Sequence, residues 1–157
     1  MTGPDVITPD VAAAGVPQVL GVPVPLPNGV DAPFHEALAR HELLLQRCAC
    51  GSWQWPAEVI CHRCRGFDPG WSRAEPTGTV YAWTRVWHPA HDGLREAVPY
   101  VVVVVELEHA GGVRLIGNLL DDDPAVPVET GRAVTGVFAD HVVDGHAYTL
   151  LHWRYAH

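Results

Sequence analysis

Cys48-Ala49-Cys50-Gly51 and Cys61-His62-Arg63-Cys64 decide how this chain is read, because no cysteine lies outside that short window of its 157 residues. Two close cysteine pairs separated by a loop of about ten residues suit one tetrahedral ion, since each hairpin tip can present two thiolates to it. The second pair has the common Cys-x-x-Cys spacing, and the first is one residue shorter. Alternate residues of an extended chain point the same way, so Cys48 and Cys50 share an ion only where the backbone bends over it. Gly51 eases that bend. The competing readings are a disulfide pair, a relic site without metal, and a redox dithiol at Cys61 and Cys64. The chain opens on a polar, proline-rich stretch rather than a basic and then apolar leader, so a reducing, cytoplasmic setting is expected, which favours metal over disulfide. Zinc held by Cys48, Cys50, Cys61 and Cys64 has no open coordination position and is expected to hold the fold rather than do chemistry.

The length suits one ordinary domain or two small ones, and an apolar fraction of 48% is that of a globular protein. All ten basic residues are arginine, so a lysine nucleophile or Schiff base is excluded within this chain. A formal charge of -8 argues against a nucleic-acid backbone as the main partner. The longest purely apolar run, Val101 to Val105, is far short of a membrane span. Charge is uneven. Arg47, Arg63, Arg65 and Arg73 meet only Glu58 and Asp68 around the cysteines, whereas residues 78 to 157 hold ten acids and five arginines. The cysteine region is therefore locally basic, a surface for an anionic ligand such as a nucleotide diphosphate or for an acidic partner.

Outward from the cysteines, residues 1–30 carry prolines at 4, 9, 17, 23, 25 and 27 and read as an extended or disordered arm. Residues 31–46 read as a short helix and a lead-in strand: Asp31 is placed to cap, Pro33 sits in the first turn, and Phe34, Ala37, Leu38 and His41 mark one face of a helix from Ala32 to His41. Residues 47–75 form the cysteine ribbon. Residues 76–157 are β throughout, with strands expected at Thr79 to Trp87, Tyr100 to Glu108, Val113 to Leu119, Ala133 to Ala139 and Tyr148 to Tyr155. Turn chemistry separates them, and the Val101 to Val105 run suits a strand buried on both faces. Five strands of these lengths fit an OB-type barrel.

Leu43-Leu44-Leu45-Gln46-Arg47-Cys48, Cys50-Gly51, Pro56, Cys61-x-x-Cys64, Gly78-Thr79-Val80-Tyr81 and Pro99-Tyr100-Val101 follow one another in a collinear order that resembles the zinc-ribbon plus OB-fold family catalogued as domain of unknown function 35. The resemblance runs from about residue 31 to the C-terminus. The departure is Cys48-x-Cys50, where the family pattern has Cys-x-x-Cys. The resemblance implies a mainly β protein with a short N-terminal helix, a rubredoxin-like zinc ribbon and a five-stranded OB barrel. It further implies a non-catalytic accessory subunit in an acyl-CoA-processing hetero-oligomer of lipid, steroid or polyketide-type metabolism. The partner it implies is a thiolase-like aldolase, retro-aldolase or acyltransferase, or else a MaoC-type enoyl-CoA hydratase. In that setting Arg47, Trp53, Arg63 and Arg65 are candidates to hold the adenine and phosphates of CoA. Two other readings stand beside it, a single-stranded nucleic-acid binder on an OB face and a free-standing acyl-CoA carrier.

Histidine and carboxylate clusters invite a search for catalysis: His88 with His91 and Asp92, the run Asp121-Asp122-Asp123, and Asp140-His141 with Asp144 and His146. The first and last read as exposed loops and the second as a solvated turn before Pro124. No serine elbow, Walker loop or dinucleotide fingerprint is present. Trp87 and Tyr100 are candidate anchors for a partner.

Overall fold

The structure, a computed structural model, describes Pro25 and residues 29–157, so the expected arm lies almost wholly outside the described residues. Helix α1 (Ala32–Leu38) begins with Pro33 in its first turn and buries Phe34, Ala37 and Leu38. Asp31 does not cap it through its side chain. Its carbonyl takes the Phe34 and His35 amides, and its carboxylate sits 3.3 Å from His35 Nε2. The helix also ends before His41. The His41 amide donates to the Leu38 carbonyl and the Glu42 amide to that of Ala37, with His41 in the left-handed region at φ 56°, the paired bonds of a Schellman terminus. His41 leaves the helical face and reaches Asp140, 3.0 Å away, while its ring stacks on Phe138.

A small sheet follows, with β1 (Leu44–Arg47) between β2 (Trp53–Gln54) and β3 (Gly70–Arg73), both antiparallel to it. Leu43 and Leu45 enter the common core, and Phe34 packs on Trp55 at 4.1 Å between centroids. Helix α1 thus touches the ribbon through Phe34, and His41, beyond its C-terminal end, reaches the barrel.

The barrel closes in the order β4-β5-β6-β8-β7, with β4 (Thr77–Val86), β5 (Tyr100–Leu107), β6 (Val113–Leu119), β7 (Ala133–Val143) and β8 (His146–Tyr155). These are the five expected strands, with β6 and β8 parallel as OB topology requires. Val101, Val103, Val105 and Leu107 are fully buried, but their neighbours Val102 and Val104 are only half-buried, so β5 is not covered equally on both faces as its sequence suggested. A bulge at Tyr81 shifts β4 by one residue. Beyond it Trp83 pairs with Val103 and Arg85 with Val101, and Arg85 meets Asp122 at 2.7 Å. The loop expected from Asp140 to His146 shrinks to Asp144 and Gly145, whose φ values of 50° and 78° form a two-residue hairpin turn, so Asp140, His141 and His146 are strand residues.

The seam between β6 and β8 is held by little backbone pairing. Leu119 pairs with Trp153, and the Leu120 amide donates to the Trp153 carbonyl. A side chain takes over one place back, where the Asn118 amide donates to His152 Nδ1 at 3.0 Å. Gly117 lets the strands approach, since a Cβ there would sit 2.5 Å from the Leu151 carbonyl oxygen.

His152 is buried, and that burial, with the nearby His141, pushes its pKa from 6.5 down to about 4. The unfolded chain therefore takes up its proton first. Stability from the neutral ring is full above about pH 6.5 and drains as pH falls toward 4, by roughly 3 kcal/mol. Urea midpoints measured between pH 7.5 and 4.5 should fall for the wild type and fall less for His152→Gln, which keeps an acceptor for Asn118 but does not titrate. Parallel curves would exclude this role.

Candidate metal centre and the surfaces beside it

The strand β1 delivers Cys48 into a tight turn. The Gly51 amide donates to the Cys48 carbonyl, the Cys48 amide to that of Ser52, and Gly51 takes φ 85°. Cys48 and Cys50 are thus the first and third residues of a β-turn, and the reversal brings both sulfurs to one side despite the shortened spacing. The second pair sits on another turn. The Arg65 amide donates to the Cys61 carbonyl, the Cys61 amide to that of Gly66, and Arg65 takes the left-handed φ of 64°. An exposed cross-strand bridge, Ile60 with Phe67, closes its base.

The four sulfurs lie within 4.8 Å of one another, the one such cluster of metal-binding side chains among the described residues. Cys48 Sγ is 3.5 Å from Cys64 Sγ, and Cys50 Sγ is 3.8 Å from Cys61 Sγ. Metal–sulfur bonds of about 2.3 Å in a tetrahedron give edges of about 3.8 Å, so the residues fit a four-coordinate ion. Their electrostatics agree. The Cys64 amide, helped by that of Arg63, draws the Cys61 thiol down to about 6 against the effect of burial. At Cys48 the pull of the Cys50 amide is outweighed by the shared hydrogen bond with Cys64 and by burial, and the thiol is pushed up to about 12. Neighbouring thiolates at this distance repel, and a cation between them removes that cost.

Two glutamines that the sequence did not advertise hold the loop between the knuckles. Gln46 and Gln54 are buried side by side, with Gln54 Nε2 donating to Gln46 Oε1 at 2.9 Å. Gln46 clasps Glu58, donating to its carbonyl and accepting from its amide, while Gln54 Oε1 accepts from the His62 amide. The ring of His62 sits 3.2 Å from Ser52 Oγ and ties one knuckle to the other. The available signal was their placement, one uncharged polar residue closing an apolar strand and one between two tryptophans.

Of the candidate nucleotide residues, Arg47 and Trp53 come together, the guanidinium 5.1 Å from the ring centroid. Trp53 also packs toward the barrel, against Gly111. Arg63 and Arg65 are exposed on the second knuckle. The candidate catalytic clusters do not converge. His91 Nδ1 accepts from the Gly93 amide and Asp92 pairs with Arg95. Asp121 accepts the Tyr155 amide, Asp122 binds Arg85, and Asp123 accepts the Ala125 amide. Asp140 accepts from Thr149 and sits against His41; burial opposes its ionisation, but these partners hold its pKa below the usual carboxylate range. His141 is buried and stacked on Tyr148. Among the described residues, no helix is long and apolar enough to cross a membrane.

Residues 35–70 match the ChsH2 rubredoxin-like zinc ribbon domain and residues 71–139 the ChsH2 C-terminal OB-fold domain. The chain is 33% identical over 110 residues to a DUF35 domain-containing scaffold protein of Methanocaldococcus jannaschii, covering 68% of this chain and 74% of that protein. The chain belongs to the DUF35 family. It is 37% identical over 113 residues to a probable enoyl-CoA hydratase alpha subunit of Thermomonospora curvata, covering 71% of this chain and 34% of that one. It is 33% identical over 107 residues to the 3-oxo-4,17-pregnadiene-20-carboxyl-CoA hydratase alpha subunit of Mycobacterium tuberculosis, where the shares are 68% and 33%. This DUF35 chain therefore spans about a third of the length of those two hydratase subunits. Among solved structures it superposes on a chain of the Ltp2-ChsH2(DUF35) aldolase with TM-score 0.71 and 34% identity, covering 85% of this chain and all of that one. A DUF35 protein from Sulfolobus solfataricus, 16% identical with TM-score 0.53 over 70% of this chain and 78% of that one, shares the fold.

Replacing Gln46 with alanine strands the Glu58 amide and carbonyl, and burial of such groups without partners costs about 1–3 kcal/mol. Thermal melts with zinc at fixed concentration should show that loss with the metal content unchanged. Cys61→Ser should lower both.

Proposed function

We propose that this DUF35 chain is a non-catalytic accessory subunit of an acyl-CoA-processing complex, docked beside a thiolase-like aldolase. The carrying observation is the likeness to a chain of the Ltp2-ChsH2(DUF35) aldolase, which is covered over its whole length. The hydratase subunits favour a second reading, a partner of an enoyl-CoA hydratase, but there the likeness extends to only a third of each protein. The dispersal of the titratable clusters, each held in a local structural contact, supports a supporting rather than a chemical role.

In this reading zinc occupies the four-cysteine site as a structural ion, locking two turns that carry little apolar core of their own. The basic ribbon faces the anionic end of the substrate. Arg63 and Arg65 are exposed and Arg47 lies over Trp53, an arrangement suited to the diphosphate of CoA.

Affinity capture of the full chain from its native cytosol, with mass spectrometry and a zinc assay, tests this. A stoichiometric thiolase-like partner with zinc near one per chain is expected. A lone zinc-bearing chain would overturn the reading in favour of a free ligand-binding module. Within the captured complex, Arg63→Glu with Arg65→Glu should weaken CoA binding about tenfold or more, and unchanged CoA affinity would remove the nucleotide contact.

A further inference from the structure

A long groove crosses the outer face of the barrel. One part, about 970 Å³, lies between the loop of residues 93–100 and strands β5 and β6. The other, about 440 Å³, lies under α1 and Trp55. The two share Ile116, Leu150 and His152 and so form one trough. In an OB barrel this is the face of the second and third strands beside the first loop, where extended ligands lie. Most of its surface is apolar, and Ile116 is 71% exposed beside other apolar side chains.

Two polar features say what belongs there. His152 is 5% exposed, and its Nδ1 is committed to accepting from the Asn118 amide. The neutral ring therefore carries its proton on Nε2, and no acceptor meets that atom. A buried donor left unpaired is a cost that an incoming carbonyl removes. The charges are one-sided. Arg114 is held by Glu106 at 2.8 Å and lies over Tyr81, and Asp122 is held by Arg85. Glu96 remains as the lining carboxylate without an ion-pair partner among the described residues. A phosphodiester backbone is disfavoured on such a surface and a basic side chain is favoured.

We infer that this trough is the docking site for an extended apolar segment of the catalytic partner subunit, which seats its side chains around Ile116 and Leu150, offers a backbone carbonyl to His152 Nε2–H and sets a basic residue against Glu96. The inference rests on the accessory-subunit reading and names the surface through which that role is exercised. The basic ribbon is left free for an anion.

The test is surface plasmon resonance of the full zinc-loaded chain against the purified thiolase-like subunit recovered in the capture experiment. Ile116→Arg should raise Kd about thirtyfold or more without changing the melting temperature or zinc content. His152→Gln, which keeps both a donor and the acceptor for Asn118, should bind within a few-fold of wild type, whereas His152→Leu weakens binding about tenfold. Glu96→Arg should slow association and flatten its dependence on salt. Wild-type chain that fails to bind the subunit sinks the accessory-subunit reading itself. Wild-type binding with an unaffected Ile116→Arg sinks the trough alone. A free Ile116→Arg chain that melts several degrees lower shows the trough already covered by the chain's own residues, which also overturns the inference.

Discussion

Four cysteine sulfurs lie within 4.8 Å of one another, and once ionised they form a concentration of negative charge that a cation between them offsets. The ribbon has little else to offset it. Its sheet contains a strand of two residues, and the side chains it buries near the knuckles are small or polar, Cys61, Ala57, Ser52, Pro69 and the pair Gln46 and Gln54. Two glutamines do here what a hydrophobic core does in a larger domain. They supply the loop between the knuckles with the hydrogen bonds that a neighbouring strand would otherwise give, and they cannot exclude water as leucines would. In the zinc-bound reading proposed above, the ion pins both knuckles and with them the turn that carries Arg63 and Arg65.

The barrel solves a different problem. Closure forces β6 and β8 together in parallel along a seam too short for a full ladder, and side chains complete what backbone pairing leaves open. Gly117 admits the approach and His152 caps an amide that would otherwise be buried without a partner. Using histidine for this purpose leaves a second ring nitrogen to be satisfied and makes the seam acid-sensitive. A glutamine would hold the Asn118 amide without that sensitivity, so the choice of residue is explained by more than closure.

Much of this was legible because it depends on local chemistry. The cysteine spacing gave the two knuckles, and alternation bounded by glycine, proline and aspartate gave five strands in their observed places. The strand count and the resemblance to DUF35 both pointed to an OB barrel, and the structure supplies the order in which the strands close. What escaped the sequence depends on contacts distant along the chain. The end of α1 was placed at His41 because periodicity continued that far, but His41 is drawn away by Asp140, ninety-nine positions distant. The hairpin between β7 and β8 looks in the sequence like a seven-residue loop, but Asp140 and His141 are polar for reasons of tertiary contact rather than exposure to a turn. Gln46 and Gln54 look unremarkable in the sequence because a buried amide is recognised by its partners, and theirs are each other and backbone groups. The trough was hidden for the same reason: Ile116, Leu150 and His152 alternate as ordinary strand residues until the barrel sets them side by side.

The arrangement separates two kinds of surface on one small chain. The ribbon presents Arg47, Arg63 and Arg65 without an ion-pair partner among the described residues, whereas the barrel face presents apolar side chains with a carboxylate at its edge. Asp121, Asp122, Asp123 and Asp140 are each spent on holding a backbone amide, an arginine or a histidine in place. That use of titratable groups as struts stiffens the barrel face and loop from beneath, and a surface so stiffened loses little entropy when a partner seats on it. In the accessory-subunit reading proposed above, such rigidity lets this chain hold a partner's chemistry in place.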